Sequence, residues 1–437
     1  MFSKILIANR GEIALRVIRV CREMGISTVA VCSEADRDAL PALLADECVC
    51  VGANAPRDSY LNIRNILAAA ELTGAQAIHP GYGFLSENPA FARACEQAGL
   101  TFIGPSGDVL DRMGDKNNAR QLAVSIGVPV IPGSEIVETL DEARAEAERV
   151  GYPLLIKAAA GGGGKGIRIV ESPDALPSAF ATASEEAIAS FGDGRVYLER
   201  YLTGVRHVEV QLLADAYGKI LTLGERDCSL QRNRQKVIEE TPCPALDGET
   251  RAKLTAAAVR AAAASGYRGA GTVEFLLAPD KSFYFIEMNP RLQVEHGVSE
   301  EVSGVDIVKW QIRVAAGIPL PMTQESVTPT GCAIECRINA KNAGKIDFLH
   351  IPGGHRVHFD TALVQGGTVP PYYDSMLGKL IVFAATREEA VRKMEAALCE
   401  LAIDGVDTNR NDQLSLVRTA AFRAGRYDTL SLAEGRM

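Results

Sequence analysis

The chain has 437 residues, of which 47% are hydrophobic, and its formal net charge is −9 at pH 7. A chain of this length is too long for one ordinary core, so about two or three subdomains are expected. The acidic balance argues against a nucleic-acid-binding protein, which needs a basic face. Neither a membrane-spanning run nor a secretory signal is recognisable, so we expect a soluble, cytoplasmic protein.

Over the first hundred or so residues, short apolar strands alternate with amphipathic helices. This alternation predicts a doubly wound parallel sheet. The first turn, residues 8–12, lacks the G-x-G-x-x-G pattern of dinucleotide-binding folds, which disfavours such a cofactor. The loop 79–88 follows a predicted strand, where parallel sheets expose ligand-contacting residues, although a plain Pro/Gly turn is the alternative. The predicted strands are residues 5–8, 28–32, 77–79 and 101–103.

A glycine-rich loop, residues 161–166, is predicted to join two strands at 152–157 and 167–170. A P-loop would instead join a strand to a helix and would place Ser or Thr after its lysine. Consecutive glycines allow backbone N–H groups to surround an anion, and Lys157 and Lys165 add positive charge. Phosphate contact is the interpretation we favour, and a flexible tip without a ligand is the alternative.

Residues 271–278 and 283–288 are predicted to form a hairpin around a four-residue loop. The simplest register would put Glu274 opposite Glu287, and directly opposed like charges destabilise a sheet. Either the register slips or a cation lies between the carboxylates, and Mg²⁺ with oxygen ligands suits that arrangement. A polar edge strand with surface glutamates is the alternative.

Between residues 287 and 295, every odd position is polar and every even position is apolar. This period of two predicts a strand whose polar face could hold a metal and an anion together. Pro290 lacks a ladder N–H, so the strand is expected to lie at a sheet edge or to be open there. The other predicted elements are a helix opening at 115–116, an alanine-rich helix at 254–265, strands at 333–338 and 380–384, and a final helix at 387–401.

Ten cysteines are scattered through the sequence without a Cys-x-x-Cys pair or a His-rich tract. Zinc sites and disulfide frameworks usually show such spacing. The cysteines are therefore predicted to be buried free thiols.

The motifs that stand out are ANRGEIA (8–14), HPGYGFLSEN (79–88), MGDK (113–116), the glycine loop, ERDCS (225–229), QK (235–236), EMN (287–289), RLQVEH (291–296) and PPYYDS (370–375). Their order and spacing closely resemble those of biotin carboxylase over essentially the whole chain. The resemblance implies an α/β chain, α+β in parts, with an ATP-grasp fold. Its implied parts are a Rossmann-like preATP-grasp domain at 1–113, an ATP-grasp domain at 114–317 with a mobile lid at about 131–202, and a biotin carboxylase C-terminal domain at 318–437.

The reaction that this resemblance implies joins bicarbonate to the ureido nitrogen of biotin, with ATP forming a carboxyphosphate intermediate. The implied cofactors are ATP and Mg²⁺ or Mn²⁺. Biotin is expected on a separate carrier, because the chain has no lysine flanked by methionines. Biotin carboxyl carrier protein and carboxyltransferase subunits are the implied partners, and a homodimer is expected. Acetyl-CoA, as in fatty acid biosynthesis, is the first choice of acceptor, before propionyl-CoA, pyruvate or a urea-type acceptor.

The resemblance assigns three groups of residues to ATP. The phosphates would be bound by Lys116, Lys157, Gly163 and Gly164. The adenine and the rest of the nucleotide would contact Glu199, Arg200, Tyr201, Leu202, His207 and Arg234. Magnesium ions that bridge the phosphates would be bound by Glu274, Glu287 and Asn289. The alternatives, for each residue considered alone, are that Lys116 and Lys157 are surface lysines, that residues 199–202 form an edge strand and that His207 is a buried histidine.

The resemblance also assigns residues to bicarbonate, a planar oxyanion. The Arg291 fork, the Lys236 ammonium and the Val294 N–H would orient it for attack on the γ-phosphorus. Glu295 matches the general base that removes the bicarbonate proton, although a plain salt bridge to Arg291 is the alternative. Arg337 matches the arginine that stabilises the developing enolate of biotin.

Tyr82 is expected near the biotin ring. One departure from the family pattern is a shortened segment, residues 339–345, which lacks the turn that usually follows Arg337. This bears on the placement of Arg337 and on docking of the carrier. Departures at single positions are Ala160 for a glycine, Pro290 where Thr is common and Arg234 where His is common.

Two functions of other classes stay open. One is another ATP-grasp ligase that joins a carboxylate to an amine, and the other is a nucleotide-binding subunit that no longer catalyses. Retention of Arg291, Glu295 and Arg337 argues against the inactive subunit, because nucleotide affinity alone would not need them.

Overall fold

The computed structural model describes residues 1–158 and 167–437, without the side chains of Lys116, Asn117, Ser190 and Phe191. The chain divides into two compact units. The first contains Met1–Val128, Arg206–Leu276 and Glu287–Met437, and the second contains Pro129–Val205 and Leu277–Ile286. Within the described ranges, no helix is both long and apolar enough to cross a membrane.

The first unit begins with a parallel sheet in the order β3-β2-β1-β4-β5. The strands are β1 (Lys4–Ile7), β2 (Ser27–Ser33), β3 (Glu47–Gly52), β4 (Ala77–His79) and β5 (Thr101–Phe102). The helices are α1 (Gly11–Glu23), α2 (Leu40–Leu44), α3 (Ile63–Thr73), α4 (Pro89–Gln97), α5 (Gly107–Gly114) and α6 (Lys116–Ser125). The strand order runs outward from β1 on both sides, so the predicted doubly wound sheet is confirmed.

The loops that follow β1 and β4 are bound to each other at the carboxyl edge of this sheet. Asn9 Nδ2 donates to the carbonyls of Pro80 (2.7 Å) and Tyr82 (2.8 Å). Gly81 has a φ of 64°, and a Cβ there would lie 2.8 Å from Asn9 Nδ2, so the turn requires glycine. The motifs at 8–14 and 79–88 therefore meet where open parallel sheets bind ligands.

The described part of the second unit contains an antiparallel sheet in the order β6-β9-β7-β8. Its strands are β6 (Gly133–Val137), β7 (Leu154–Ala158), β8 (Ile167–Val170) and β9 (Val196–Arg200), and its helices are α7 (Leu140–Val150) and α8 (Leu176–Phe191). The strands predicted on either side of the glycine loop are confirmed as β7 and β8. The loop, with Ala160, Gly163, Gly164 and Lys165, lies outside the described residues.

The remaining strands include one sheet in the order β14-β13-β10-β11-β12-β15-β20-β18, with short pairs β16-β19 and β17-β21. The strands are β10 (Arg206–Ala214), β11 (Ile220–Arg232), β12 (Gln235–Thr241), β13 (Gly269–Leu277), β14 (Phe283–Asn289), β15 (Cys332–Asn339), β16 (Gly344–Lys345), β17 (Phe348–His350), β18 (Val357–Thr361), β19 (Thr368–Val369), β20 (Met376–Ala384) and β21 (Ala402–Asp404). The helices are α9 (Gly248–Ser265), α10 (His296–Ser303), α11 (Ile307–Ala315), α12 (Arg387–Glu400), α13 (Arg410–Arg418) and α14 (Ala420–Arg423).

The hairpin predicted around residues 279–282 is confirmed as β13 and β14. The prediction that the strand continues to residue 295 is wrong, because β14 ends at Asn289 and an irregular segment leads into α10. Pro290 cannot donate a ladder hydrogen bond, and Gln293 O accepts from the backbone N–H of His296 (3.3 Å) as the chain turns. The expectation that Pro290 marks a sheet edge is confirmed, since β14 is an outer strand.

Two further predictions are corrected, one on which helix is the last and one on the burial of the cysteines. The helix predicted at 387–401 is not the last one, because α13 and α14 follow α12. All ten cysteines are free, as expected, but Cys48, Cys50 and Cys399 are exposed rather than buried. The first two are exposed because they alternate with Val49 and Val51 on β3, an outer strand.

Candidate functional site

Charged side chains from β10, β12, β13 and the segment after β14 meet inside the first unit. Lys236 Nζ donates to Glu209 Oε2 (2.6 Å), Glu274 Oε1 (3.1 Å) and Glu295 Oε1 (2.6 Å). The three carboxylate residues are each at most 5% exposed. One ammonium group thus compensates several buried negative charges, which a protein interior tolerates only when they are paired.

The other oxygen of Glu295 is bound by Arg337. Arg337 NH2 lies 2.8 Å from Glu295 Oε2, and Arg337 Nε donates to Glu239 Oε1 at 2.6 Å. Burial alone would raise the pKa of Glu295, but Lys236 and Arg337 hold that pKa well below its usual range. Glu295 is therefore ionised and lies between two cations.

Glu274 contacts Lys236 and also His207, one of the residues predicted to contact the nucleotide. His207 Nε2 lies 2.8 Å from Glu274 Oε2, and both Asn289 Nδ2 (2.9 Å) and Gln293 Nε2 (2.8 Å) donate to Glu274 Oε1. Burial opposes ionisation, yet Lys236 and His207 hold the pKa of Glu274 well below its usual range. Glu274 is thus a preformed anionic oxygen ligand.

The predicted metal ligands fit a hard cation by their chemistry. Glu274, Glu287 and Asn289 supply carboxylate and amide oxygens, which Mg²⁺ prefers. Glu287 is half-buried on β14, two residues before Asn289. A second combination of donors, His207, Glu209 and Glu274, lies within 4.8 Å. Lys236 contacts two of these three residues, Glu209 and Glu274, but only Glu274 of the predicted set, so its charge opposes a metal ion more strongly in the second combination.

Arg291 connects Asn289, at the end of β14, to the loop after β4. Its Nε lies 3.1 Å from Glu87 Oε2, and its NH2 donates to Asn289 Oδ1 at 3.2 Å. The alternative that Arg291 forms a plain salt bridge with Glu295 is wrong, because Glu295 binds Lys236 and Arg337 instead.

The backbone at Val294 is held by a buried lysine. Lys379 is 0% exposed, and its Nζ donates to Val294 O at 2.7 Å and lies 3.4 Å from Glu12 Oε1. Tyr82 OH is hydrogen-bonded to the same Glu12. The Val294 carbonyl is therefore connected through Lys379 and Glu12 to the first turn of α1 and to the loop after β4.

Several of the remaining nucleotide candidates belong to the second unit. In the second unit, Lys157 on β7 forms an ion pair with Glu199 on β9, and Arg200 Nε donates to Val150 O at 3.1 Å. The alternative of an edge strand is wrong, because β9 lies between β6 and β7. Tyr201 and Leu202 follow β9 directly, and the Lys116 side chain is outside the described part of the chain.

Arg234 lies on the turn between β11 and β12. Asn233 and Arg234 have φ values of 51° and 65°, as a tight two-residue hairpin turn requires. The Arg234 side chain is exposed. The structure therefore does not bring Arg234 into the buried charge network.

Four buried charged residues of this network were not assigned a role from the sequence: Glu209, Arg226, Glu239 and Lys379. Arg226 is 0% exposed and donates to Glu209 (2.5 Å), Gln211 (2.7 Å) and Gln293 (2.8 Å). A signal for Glu209 exists, since His207, Glu209 and Gln211 alternate with apolar residues along β10. Glu239 has no comparable signal, because its partner Arg337 is 98 positions away.

Three family models match consecutive parts of the chain. Residues 1–110 match the biotin carboxylase N-terminal domain, residues 115–323 match the ATP-binding domain of the carbamoyl-phosphate synthase L chain, and residues 335–434 match the biotin carboxylase C-terminal domain. The chain is 51% identical to biotin carboxylase 1 of Bacillus subtilis over 439 aligned residues, which cover 98% of each protein. The chain belongs to the biotin carboxylase family.

Solved structures of this family are similar over the whole chain. A biotin carboxylase from Campylobacter jejuni, in a complex named β-γ-ATP, has a TM-score of 0.95 and 48% identity and covers 99% of both chains. The biotin carboxylase domain of the Hydrogenobacter thermophilus 2-oxoglutarate carboxylase, a dimer with MgADP, ADP and bicarbonate, has a TM-score of 0.93 and 45% identity, covering 100% of this chain and 98% of that one. The predicted ATP-grasp fold and assignment to a ligase family are confirmed.

Proposed function

We propose that the chain catalyses the ATP-dependent carboxylation of biotin by bicarbonate through carboxyphosphate. The observation that carries the proposal is the buried row of alternating charge from Glu274 through Lys236 and Glu295 to Arg337. A site that only bound a nucleotide would not need Glu295 and Arg337. Family membership supports the same reaction, and the ligands of the Hydrogenobacter relative, MgADP and bicarbonate, are those that such a row would take.

Bicarbonate would be oriented by Arg291, Lys236 and the Val294 N–H. Three carboxylates surround Lys236, and its longest contact is the 3.1 Å one to Glu274. This contact would be the one that the oxyanion replaces, so that the ammonium can bind bicarbonate. The guanidinium plane of Arg291 would hold two bicarbonate oxygens in the direction of the γ-phosphorus.

Glu295 would remove the bicarbonate proton as the oxyanion attacks. Both of its oxygens accept from cations in the structure, so one contact has to lengthen before the carboxylate can take a proton. Losing a neighbouring cation raises the pKa of a carboxylate. Engagement of Lys236 by bicarbonate would therefore make Glu295 a stronger base at the moment when it is needed.

Biotin would be carboxylated after carboxyphosphate breaks down to CO₂ and phosphate. The released phosphate would take the proton from the ureido nitrogen, and Arg337 would stabilise negative charge on the ureido oxygen. Glu239 would orient Arg337 through its 2.6 Å contact. Tyr82, which is hydrogen-bonded to Glu12, would lie beside the biotin ring.

The nucleotide would bind together with magnesium. Magnesium would stabilise the charge that moves during phosphoryl transfer, and Glu274, Glu287 and Asn289 would hold it. Ligation by Asn289 requires its amide to turn, because its Nδ2 now faces Glu274. The other ATP residues in this proposal are Lys116, Lys157, Gly163, Gly164, Glu199, Arg200, Tyr201, Leu202, His207 and Arg234.

The proposed context is a multi-subunit biotin-dependent carboxylase in the cytoplasm. Free thiols suit a reducing compartment, and all ten cysteines are free. We propose the three domains 1–113, 114–317 and 318–437, with a lid at about 131–202, and a homodimer with a mass of about twice 46.7 kDa. Biotin would arrive on a carrier protein, and a carboxyltransferase subunit with acetyl-CoA as acceptor would complete the reaction.

The test is ADP release by the purified chain with Mg-ATP and bicarbonate, with and without free biotin. Labelled bicarbonate and capture of carboxybiotin identify the product. We expect biotin to stimulate ADP release and the label to enter biotin. ADP formation that depends on some other carboxylate and amine would indicate another ligase, and ATP binding without turnover would indicate an inactive subunit.

A further inference from the structure

Three cysteines share one face at the outer edge of the N-terminal parallel sheet. In the register of β2 with β3, Cys32 is opposite Cys50, and Ala30 is opposite Cys48. Because side chains alternate along a strand, Cys48 and Cys50 point to the same side of the sheet as Cys32. Since β3 is the outer strand, this face is open to solvent at its edge.

The three thiols are not equivalent. The Cys48 Sγ lies 3.4 Å from the Cys32 Sγ. Cys32 is only 3% exposed, whereas Cys48 and Cys50 are exposed. The Cys50 Sγ has other partners, since it lies 3.6 Å from Gly52 O and 3.8 Å from Arg37 NH2. Cys50 also interacts with the Cys32 thiol, and Cys48 and Cys32 are the pair whose sulfurs lie 3.4 Å apart.

The contact makes the exposed sulfur the better nucleophile. The hydrogen bond between the two thiols, in which Cys48 Sγ is the donor, lowers the pKa of Cys48 and raises the pKa of Cys32. Thiolates, rather than thiols, react with oxidants. Solvent reaches Cys48 first, while Cys32 keeps its proton within reach.

We propose that Cys48 and Cys32 form a reversible dithiol–disulfide site for hydroperoxides, independent of carboxylation. In the first step, the Cys48 thiolate attacks one peroxide oxygen, an S–O bond forms, the O–O bond breaks and hydroxide leaves. In the second step, the Cys32 sulfur loses its proton and attacks the sulfenic sulfur of Cys48, which releases water. Two sulfurs are oxidised to a disulfide and one hydroperoxide is reduced by two electrons.

Disulfide formation requires the sulfurs to approach from 3.4 Å to about 2.05 Å. Cys48 is a diagonal neighbour of Cys32, and such residues have Cα atoms about 7–8 Å apart, so the outer strand has to shift as the bond forms. The last residue of β2 and the segment after β3 hold Tyr373 of the PPYYDS motif. Ser33 Oγ is hydrogen-bonded to Tyr373 OH, which also donates to Asn54 O at 2.9 Å. The modification would therefore cross-link the two strands that support this motif.

The test is intact mass of the full chain after treatment with a small excess of hydrogen peroxide and a short native reaction with a maleimide. The reduced protein is expected to take three maleimides, on the exposed Cys48, Cys50 and Cys399. The oxidised protein is expected to have lost two hydrogens and to take one maleimide fewer, and a dithiol reductant should restore the third. Peptide mapping should find Cys32 joined to Cys48.

Matched variants identify the pair. Cys50→Ser should still form the disulfide, whereas Cys48→Ser should show no loss of two hydrogens. Cys32→Ser removes the resolving thiol, so Cys48 should retain oxygen instead. An unchanged maleimide count after peroxide, a disulfide between two chains, or a bond that maps to Cys50 would overturn the proposal.

Discussion

At the scale of single residues, the proton affinity of Glu295 depends on two cations at once. Lys236 and Arg337 each bind one of its oxygens, at 2.6 and 2.8 Å. Since the carboxylate is ionised, it can accept a proton, but both contacts lower its pKa and weaken it as a base. The substrates must therefore draw one cation away before proton transfer, which links binding to the chemical step.

Glu295→Gln should lower turnover by about 10²–10⁴-fold, the usual contribution of a general base. The amide oxygen can accept from only one of Lys236 and Arg337, which bind different oxygens of Glu295, so thermal unfolding must show that the variant retains its fold. ADP affinity should change little. The measurements are bicarbonate-dependent ADP release and ADP binding by calorimetry. Turnover equal to that of the unchanged protein would remove Glu295 as the base.

Burial raises the pKa of Glu239 to about 7 although Arg337 lowers it, so the test belongs at about pH 8, where Glu239 is mostly ionised. There Glu239→Gln should slow biotin carboxylation by at least about tenfold, since a charge-assisted hydrogen bond is worth roughly 1.5–3 kcal/mol. Glu239 touches Arg337, so we expect carboxybiotin formation and the KM for biotin to change more than ATP cleavage without biotin. Equal losses in both reactions would contradict an effect through Arg337.

Glu335→Gln is the matched control for that substitution. Glu335 lies directly opposite Glu239 in the pairing of β12 with β15, and it is 0% exposed. Burial raises the pKa of Glu335 well above its usual range, which favours the neutral carboxyl group. Glu335→Gln should therefore leave biotin carboxylation nearly unchanged, and a loss as large as that of Glu239→Gln would show that packing rather than charge is responsible.

At the scale of elements, sequence patterns predicted the N-terminal sheet, the β13–β14 hairpin and β15, because each has a regular apolar period. The same reasoning failed after Asn289, where the alternating polarity belongs to an irregular, largely buried segment that begins at Pro290 and ends at α10. The two- and three-residue strands β16, β17, β19 and β21 carry no period at all. Glu239 and Arg337 are neighbours only through the cross-strand register, which sequence spacing does not reveal.

One edge of the large sheet is attached to α10 through a histidine. His358 on β18 lies 3.1 Å from Asp360 Oδ1 through Nδ1 and 3.4 Å from Glu301 Oε1 through Nε2, and Arg356 also donates to Glu301 at 2.9 Å. Burial lowers the pKa of His358, but hydrogen bonds to Asp360 and Glu301 outweigh it and raise the pKa to about 9.

The protonated His358 should therefore stabilise the fold in a pH-dependent way. The folded pKa exceeds the unfolded value of about 6.5, so this contribution is complete below about pH 6.5 and is lost as pH rises through about 9. Urea unfolding should show that His358→Gln reduces the loss of stability over this range. His350→Gln, at an exposed histidine paired with Glu400, is the control, and an equal change in both variants would contradict the assignment.

At the scale of the whole molecule, the residues proposed for ATP belong to both compact units. Glu274 and His207 are in the first, and Lys157 and Glu199 are in the second. Their contributions differ in kind, because a lysine attracts phosphate directly whereas a glutamate can favour a phosphate only through a cation. Substitution in each unit can therefore separate nucleotide binding from metal binding.

Lys157→Gln should weaken ADP binding by a similar factor, on the order of tenfold, with and without Mg²⁺, because a charge-assisted contact to phosphate is lost in both cases. Glu274→Gln should leave ADP binding without Mg²⁺ nearly unchanged and remove most of the gain that Mg²⁺ provides. Calorimetric titration of both variants with ADP, at matched ionic strength, measures this directly.

Thermal unfolding must show that Glu274→Gln retains its fold, since Lys236 and His207 lose an anionic partner. A full Mg²⁺ gain in a folded Glu274→Gln protein would remove Glu274 from the metal ligands, and a Lys157→Gln defect confined to the Mg²⁺ titration would mean that Lys157 acts through the metal rather than on the phosphates.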